Sequence, residues 1–158
     1  MLVTPRVHAA VFKALWNGWT SERRFQRRSK PSNVCKFQCR ESTAWGGPED
    51  SIEHYCRCPV VMRVAQSYLH LHFDDQVALD IWTLNSQWVG GNPIVMTCVA
   101  LLIYGTFKAF NSINHQGISN SQQAYICITQ HCMQGALGHT ASQQILDGCW
   151  RRPLLGCC

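Results

Sequence analysis

The sequence predicts a mainly α-helical protein, with a small loop–helix module followed by a helical hairpin or small helical bundle. Apolar residues recur at helical spacing along most of the chain, two long apolar segments occupy its second half, and paired Cys and His residues flank a loop. Hydrophobic residues make up 46% of the 158 residues and charged residues 15%, so the chain can bury a core.

The N-terminal part is predicted to contain two helices and a loop. From Pro5 to about Trp19, four apolar residues at four-residue spacing are predicted to lie on one face of a helix. These are Val7, Val11, Leu15 and Trp19. A second short helix is expected after Trp19, ending before Pro31, because proline stops a helix. Residues 31–52 then combine Pro, Ser, Asn and paired glycines, which is typical of a loop.

The remaining chain is predicted to be helical with short connections. One helix is expected from about Ser51 through Leu71, interrupted at Pro59, and a short one over residues 74–82. The two longest candidates run from Ile94 to Phe110 and from Ser121 to about Leu146. Because a polar link separates them, they predict an antiparallel helical hairpin.

Cys and His residues form two close pairs, Cys35-x3-Cys39 and His54-x3-Cys58, separated by fourteen residues. Each pair can reach one ion from a local turn, and the loop lets the chain fold back to complete a tetrahedron. A helical i, i+4 spacing would point His54 and Cys58 the same way. Cys56 is an alternative fourth ligand, but it and Cys58 cannot both face one ion from a helix.

Thiolates and an imidazole are ligands that zinc prefers, so the pattern predicts a Zn²⁺ site. Four protein ligands leave no open position for a catalytic water, so the ion is expected to be structural. The fold expectation is therefore a zinc-stapled loop–helix module followed by the helical tail. Ordinary buried thiols with a surface His54 are the alternative reading of the same residues.

Positive charge is concentrated at the front of the chain. Residues 1–63 hold eleven of the fourteen Lys and Arg against five acids, a net +6, whereas the remainder has −1. A basic segment precedes the first Cys pair and contains Arg23, Arg24, Arg27, Arg28 and Lys30. Such cations can bind phosphates, and the nearby Trp16 and Trp19 either stack on unpaired bases or belong to the core. A solvated helix face is the alternative interpretation of the basic segment.

Domain boundaries and location follow from the same patterns. Residues 1–73 are expected to form the basic segment and metal module, residues 74–150 the helical tail, and residues 151–158 a disordered terminus. The opening residues lack the apolar segment of a signal peptide, and the apolar run from Pro93 to Phe107 is short for a membrane span. The expectation is an intracellular protein, nuclear or cytoplasmic, with no membrane partner.

Several of these segments together resemble a known family. They are Asn17-Gly18-Trp19-Thr20, Arg23-Arg24-Phe25-Gln26, Cys35-x3-Cys39 and the run from Asp50 to Pro59, which contains Glu53-His54-x3-Cys58-Pro59. The pattern resembles the zinc-binding region that follows the polymerase of non-LTR retrotransposon reverse transcriptases. The resemblance covers roughly residues 5–75 and extends only loosely into the helical tail. The first pair here has three intervening residues, where the family more often has two.

The resemblance implies a non-catalytic module that grips template RNA or target DNA beside a polymerase. The parent family is an RNA-directed DNA polymerase, but His72-Phe73-Asp74-Asp75 lacks the aromatic-x-Asp-Asp order of its active site. No enzyme activity is therefore expected of this chain, which would correspond to a detached tail. The alternatives are a zinc-shaped protein-interaction module, with a polymerase or other protein on the helical tail, and a decayed retroelement fragment without selected function.

Overall fold

The computed structural model describes residues 3–16, 18–19, 21, 35–39, 50–85, 87, 91–116 and 120–137. The helices are α1 (Pro5–Leu15), α2 (Ile52–Tyr55), α3 (Pro59–Tyr68), α4 (Ala78–Trp82), α5 (Pro93–Gln116) and α6 (Ser121–Leu137). The described part of the chain contains no β-strand. The prediction of a mainly α-helical fold is therefore confirmed, including the break before Pro59.

Helix α5 is the central element of the fold. It packs along α6 and also contacts α1, α3 and α4. All residues from Thr97 to Thr106 are buried, as expected for a helix that is apolar on every side. The two threonine hydroxyls in this stretch donate to backbone oxygens one turn earlier, at 2.6 Å to Pro93 and 2.7 Å to Leu102. Their polar groups are thus satisfied inside the core.

One helical segment within the described residues, Pro93–Ile113, is long and apolar enough to cross a membrane. Of its most apolar window, 67% is buried inside the fold. The helix packs against α1, α3, α4 and α6, and this burial explains why its side chains are apolar. The helix is therefore consistent with the core of a soluble protein.

The two longest helices form the predicted hairpin, but the link between them is shorter than expected. Helix α5 continues past Phe110 to Gln116, so the helix includes residues assigned from sequence to the polar connection. Ala109, Phe110 and Ile113 are buried, and this packing outweighs the polar character of their neighbours. Helix α6 is described to Leu137, and the predicted continuation toward Leu146 lies outside the described residues.

The buried face of α1 differs from the one predicted. Val7, Ala10, Val11 and Ala14 are buried, whereas Leu15 is 41% exposed. In a helix of 3.6 residues per turn, side chains four residues apart differ in direction by about 40°. Over the two steps from Val7 to Leu15 this difference accumulates, so Leu15 no longer lies on the same face as Val7. Trp19 is fully buried, but it lies after the helix ends. A side chain at Gly18 would press on the Lys13 backbone at 3.1 Å, so glycine allows the close turn before Trp19.

One hydrophobic cluster joins the two parts of the chain that were predicted as separate units. Trp19 and Tyr55 from residues 1–73 share this cluster with Trp82, Phe110 and other residues of the tail. Trp19 contacts Tyr55, Trp82 and Phe110 with ring centroids 5.8 Å apart. The aromatic side chains therefore connect the N-terminal part to α4 and α5.

Helices α5 and α6 approach closely at Gly105, and this approach is testable. A Cβ atom there would lie 2.6 Å from Cys132 Sγ and 2.7 Å from the Ile128 carbonyl oxygen. We expect Gly105→Ala to lower the free energy of unfolding by about 1–3 kcal/mol because the helices must separate. Denaturant unfolding measures the change. Gln130→Ala, on the exposed side of α6, is the control and should stay within about 0.5 kcal/mol of the wild type; equal stability of both variants would contradict the packing.

Candidate metal centre

His54 is positioned by the short helix α2. Ser51 caps this helix, and its hydroxyl accepts a hydrogen bond from the His54 backbone amide at 3.2 Å. Serine is a favoured N-cap because its oxygen satisfies an amide that has no partner within the helix. The cap and the first turn therefore fix the backbone from which the imidazole projects.

Cys58 lies at the start of α3, where it is the N-cap residue ahead of Pro59. Its carbonyl oxygen accepts the hydrogen bond of the Met62 amide at 2.8 Å. The expected i, i+4 placement of His54 and Cys58 on one helix is wrong, because α2 ends at Tyr55 and Pro59 starts a new helix. A turn between the helices brings the two side chains together instead, with the Arg57 amide donating to the His54 carbonyl at 2.9 Å.

Cys35 and Cys39 flank a tight turn. The Gln38 amide donates to the Cys35 carbonyl at 3.0 Å, and Gln38 has a φ of 48° in the left-handed region. The Phe37 side chain inside the turn is fully buried and lies 5.0 Å from the Tyr55 ring. The turn is thus anchored to α2 by aromatic packing.

The four predicted ligands converge. The side-chain ligand atoms of Cys35, Cys39, His54 and Cys58 all lie within 4.8 Å of one another. The sulfurs of Cys35 and Cys58 are 3.8 Å apart, and Cys39 Sγ is 3.3 Å from His54 Nε2. A metal–sulfur bond of about 2.3 Å implies tetrahedral sulfur–sulfur edges of about 3.8 Å. A disulfide would need about 2.05 Å, so the spacing fits a shared ion.

The pKa shifts of the three thiols are also those expected at a site that binds a cation. Hydrogen bonding to Cys39, followed by burial, raises the pKa of Cys35 to about 12. The sulfurs of Cys35 and Cys39 raise the pKa of Cys58 as well, whereas hydrogen bonds from Cys35, Cys58 and His54 lower the pKa of Cys39. Three adjacent buried thiols cannot all ionise unaided, because thiolates repel one another. A divalent cation would supply the charge that lets all three ionise.

Cys56 does not belong to the cluster. Its thiol donates to the Glu53 carbonyl oxygen at 3.1 Å, and burial raises its pKa to about 12. The choice between Cys56 and Cys58 is therefore settled by geometry in favour of Cys58, which points toward Cys35. Cys98, Cys127 and Cys132 lie on α5 and α6, away from the site.

Tyr55 is a supporting residue that the sequence patterns did not reveal. Its hydroxyl donates to the Asp50 carboxylate and accepts a hydrogen bond from the Lys36 amide at 3.2 Å. Burial, followed by the Asp50 charge, raises the pKa of Tyr55, so the phenol stays neutral. Because Lys36 adjoins Cys35 and Tyr55 adjoins His54, this contact aligns the two ligand pairs. The only sequence feature that points to this supporting role is the position of Tyr55 next to His54.

The basic segment predicted for nucleic acid, with Arg23, Arg24, Arg27, Arg28 and Lys30, lies outside the described residues. The nearest described residues on either side are Ser21 and Cys35, and both are buried. Of the two tryptophans before the segment, Trp19 is a core residue and Trp16 is 80% exposed. Only Trp16 is therefore accessible for stacking.

The arrangement can hold one metal ion with four protein ligands and no vacant position. Among the residues that the structure describes, this is the group of Cys, His and acidic side chains close enough to bind a metal. No protein family, curated protein or solved structure significantly matches this chain.

The ligand set is tested by metal stoichiometry. We expect the purified protein to bind one divalent ion, and His54→Ala or Cys58→Ala to weaken binding by more than about 100-fold. Replacing a residue that only hydrogen-bonds to a metal ligand typically weakens metal binding by roughly 10–100-fold, so loss of a ligand itself should weaken it more. Titration with Co²⁺, followed by the visible absorption of a tetrahedral thiolate complex, measures the affinity. Cys56→Ala is the matched control; a Cys56 variant that loses binding while Cys58→Ala keeps it would refute the assignment.

Proposed function

We propose that this protein is a non-catalytic zinc-binding module that binds RNA or DNA through its basic segment. The observation that carries the proposal is the convergence of Cys35, Cys39, His54 and Cys58. Three thiolates and an imidazole favour zinc over magnesium or calcium, which prefer oxygen ligands. A closed set of four ligands supports a structural ion.

The basic segment is linked to the metal site by its position in the sequence. The five cations at positions 23–30 lie between buried Ser21 and the ligand Cys35. Metal binding at Cys35 constrains one end of this segment, and the core holds the other. A segment tethered at both ends loses less conformational entropy when it binds phosphates than a free one.

A sequence resemblance also supports the proposal. The Glu53-His54-x3-Cys58-Pro59 element and the preceding basic residues resemble the region after the polymerase of non-LTR retrotransposon reverse transcriptases. In that setting, the function would be to hold template RNA or target DNA near a polymerase. The present chain would contribute binding and no catalysis.

A second candidate function is protein interaction, and α6 carries a specific observation in its favour. Ile126, Met133 and Leu137 are 38%, 45% and 63% exposed, and their spacing of seven and four residues places them on one helix face. An exposed apolar stripe of this kind can contact a partner protein or an adjoining polymerase domain. Zinc would then shape the module without a role for the basic segment.

Metal removal is expected to unfold the module around the site. A structural zinc contributes on the order of 10 kcal/mol of binding free energy, and residues 31–58 should unravel when a chelator removes it. Amide hydrogen exchange of residues 50–58, with and without chelator, measures this effect. Protection on α5 and α6 provides the internal comparison. Full protection of residues 50–58 after complete loss of the ion would contradict a structural role.

Nucleic-acid binding is expected to depend on the basic segment. Replacing Arg23, Arg24, Arg27, Arg28 and Lys30 by alanine should weaken binding of labelled RNA or DNA by at least about tenfold and reduce its salt dependence. Fluorescence anisotropy over a range of salt concentrations provides the measurement. Unchanged affinity and salt slope would reject the basic segment as the binding surface and leave the protein-interaction function as the better candidate.

A further inference from the structure

A surface groove lies between α1 and α5, on elements that contribute no ligand to the metal centre. It has a volume of about 340 Å³ and is lined by Arg6, Lys13, Tyr104, Phe107 and Lys108, together with two alanines of α1. Its size falls within the usual range of ligand sites, about 300–1,000 Å³. The lining combines three cations with two aromatic rings and contains no acid.

Within the described part of the chain, no acid compensates the positive charge of the groove. Helices α1, α5 and α6 contain no Asp or Glu, so no acid from the elements packed around the groove faces its cations. Within the described part of the chain, the acids lie between residues 50 and 80. Neither Lys13 nor Lys108 forms an ion pair with any of those acids. Three converging cations without counter-charges favour an anionic ligand.

Neighbouring aromatic rings orient two of the cations. The Arg6 guanidinium lies 6.0 Å from the centroid of the Tyr104 ring, and the Lys13 ammonium lies 4.9 Å from that of Phe107. Arg6 also donates a hydrogen bond to the Gln134 carbonyl oxygen of α6. Arg6 is therefore held by two contacts, and all three cations are exposed to a ligand from solvent.

Exposed aromatic side chains adjoin the groove on α1. Phe12 is 57% exposed and Trp16 is 80% exposed, and their i, i+4 spacing places them side by side on the solvent face. Trp16 is also one turn from Lys13, so the aromatic face borders the cationic one. Cations that contact phosphates beside aromatic rings that stack on bases are the combination used to bind single strands.

We propose that the α1–α5 groove is a binding site for single-stranded nucleic acid. Lys13, Lys108 and Arg6 hold backbone phosphates, and unpaired bases stack on Trp16 and Phe12. Duplex DNA or RNA buries its base faces in its own stack, so the site discriminates against it. The inference deepens the proposed nucleic-acid function, on which it rests, by adding a second surface and a preference for single strands.

The experiment uses the full zinc-loaded chain and compares the affinity for labelled oligouridine of about 20 nucleotides with that for a duplex of equal length. We expect Lys13→Ala/Lys108→Ala to weaken oligouridine binding and to reduce the slope of log affinity against log salt by about 1.4, roughly 0.7 for each lost phosphate contact. Trp16→Leu should weaken oligouridine binding about fivefold or more and leave duplex binding unchanged, because a leucine cannot stack on a base.

Matched controls separate these effects from general loss of charge or folding. Arg57→Ala/Arg63→Ala removes two exposed cations elsewhere and should leave the affinity within about twofold of the wild type. Trp16→Phe retains an aromatic ring and should restore most of the binding lost in Trp16→Leu. Unfolding midpoints of all variants confirm that they remain folded, since every changed side chain is exposed.

The outcomes also distinguish this site from the basic segment. If the groove variants lose affinity and the five-residue variant of the basic segment does not, the groove stands and the basic-segment proposal fails. If only the basic-segment variant loses affinity, or if Trp16→Leu affects single strands and duplex equally, the groove proposal is overturned. Absence of nucleic-acid binding in the wild type would overturn it together with the proposed nucleic-acid function.

Discussion

The fold depends on one constraint, which is that two short segments far apart in sequence meet at the Cys and His cluster. Neither the Cys35–Cys39 turn nor the four-residue helix α2 has enough apolar surface to be stable alone. Tyr55 links them, because its ring packs on Phe37 and its hydroxyl contacts both Asp50 and the Lys36 amide. A shared ion would add the bond energy that this small contact area cannot provide.

The Cys and His cluster is joined to the helical core by packing contacts. Tyr55 lies 5.8 Å from Trp19 and 5.5 Å from Phe110, so the residue next to the ligand His54 also contacts the buried helix α5. Cys58 begins α3, and α3 packs against both long helices. The position of the ligands therefore depends on the helical core as well as on the local turns.

Both surfaces proposed to bind nucleic acid come from the same N-terminal stretch, on either side of Trp19. The groove residues on α1 precede this buried tryptophan, and the basic segment follows it and leads to Cys35. A strand bound to both would be held between the helical core and the metal site. The acids of the described chain lie between residues 50 and 80.

Local features of the amino-acid order were sufficient to predict the helical class, the two long helices and the four converging ligands. Helical periodicity and close ligand pairs are short-range properties, so they can be recognised without knowledge of long-range contacts. Two predictions were wrong: Leu15 was placed on the same helix face as Val7 and Val11, and Cys58 was placed on the helix that carries His54. The first error came from treating a four-residue spacing as a full helical period, and the second from extending one helix through the turn between α2 and α3.

Other properties depend on contacts between distant residues. The two tryptophans Trp16 and Trp19 are chemically equivalent in the sequence, yet one is exposed and the other is buried against α4 and α5. The role of Tyr55 requires the Lys36 amide to lie beside it, and the groove requires Tyr104 and Lys108 to lie beside α1, far away in the chain. Only tertiary packing decides these neighbours, because burial and charge compensation are set by the surfaces that meet.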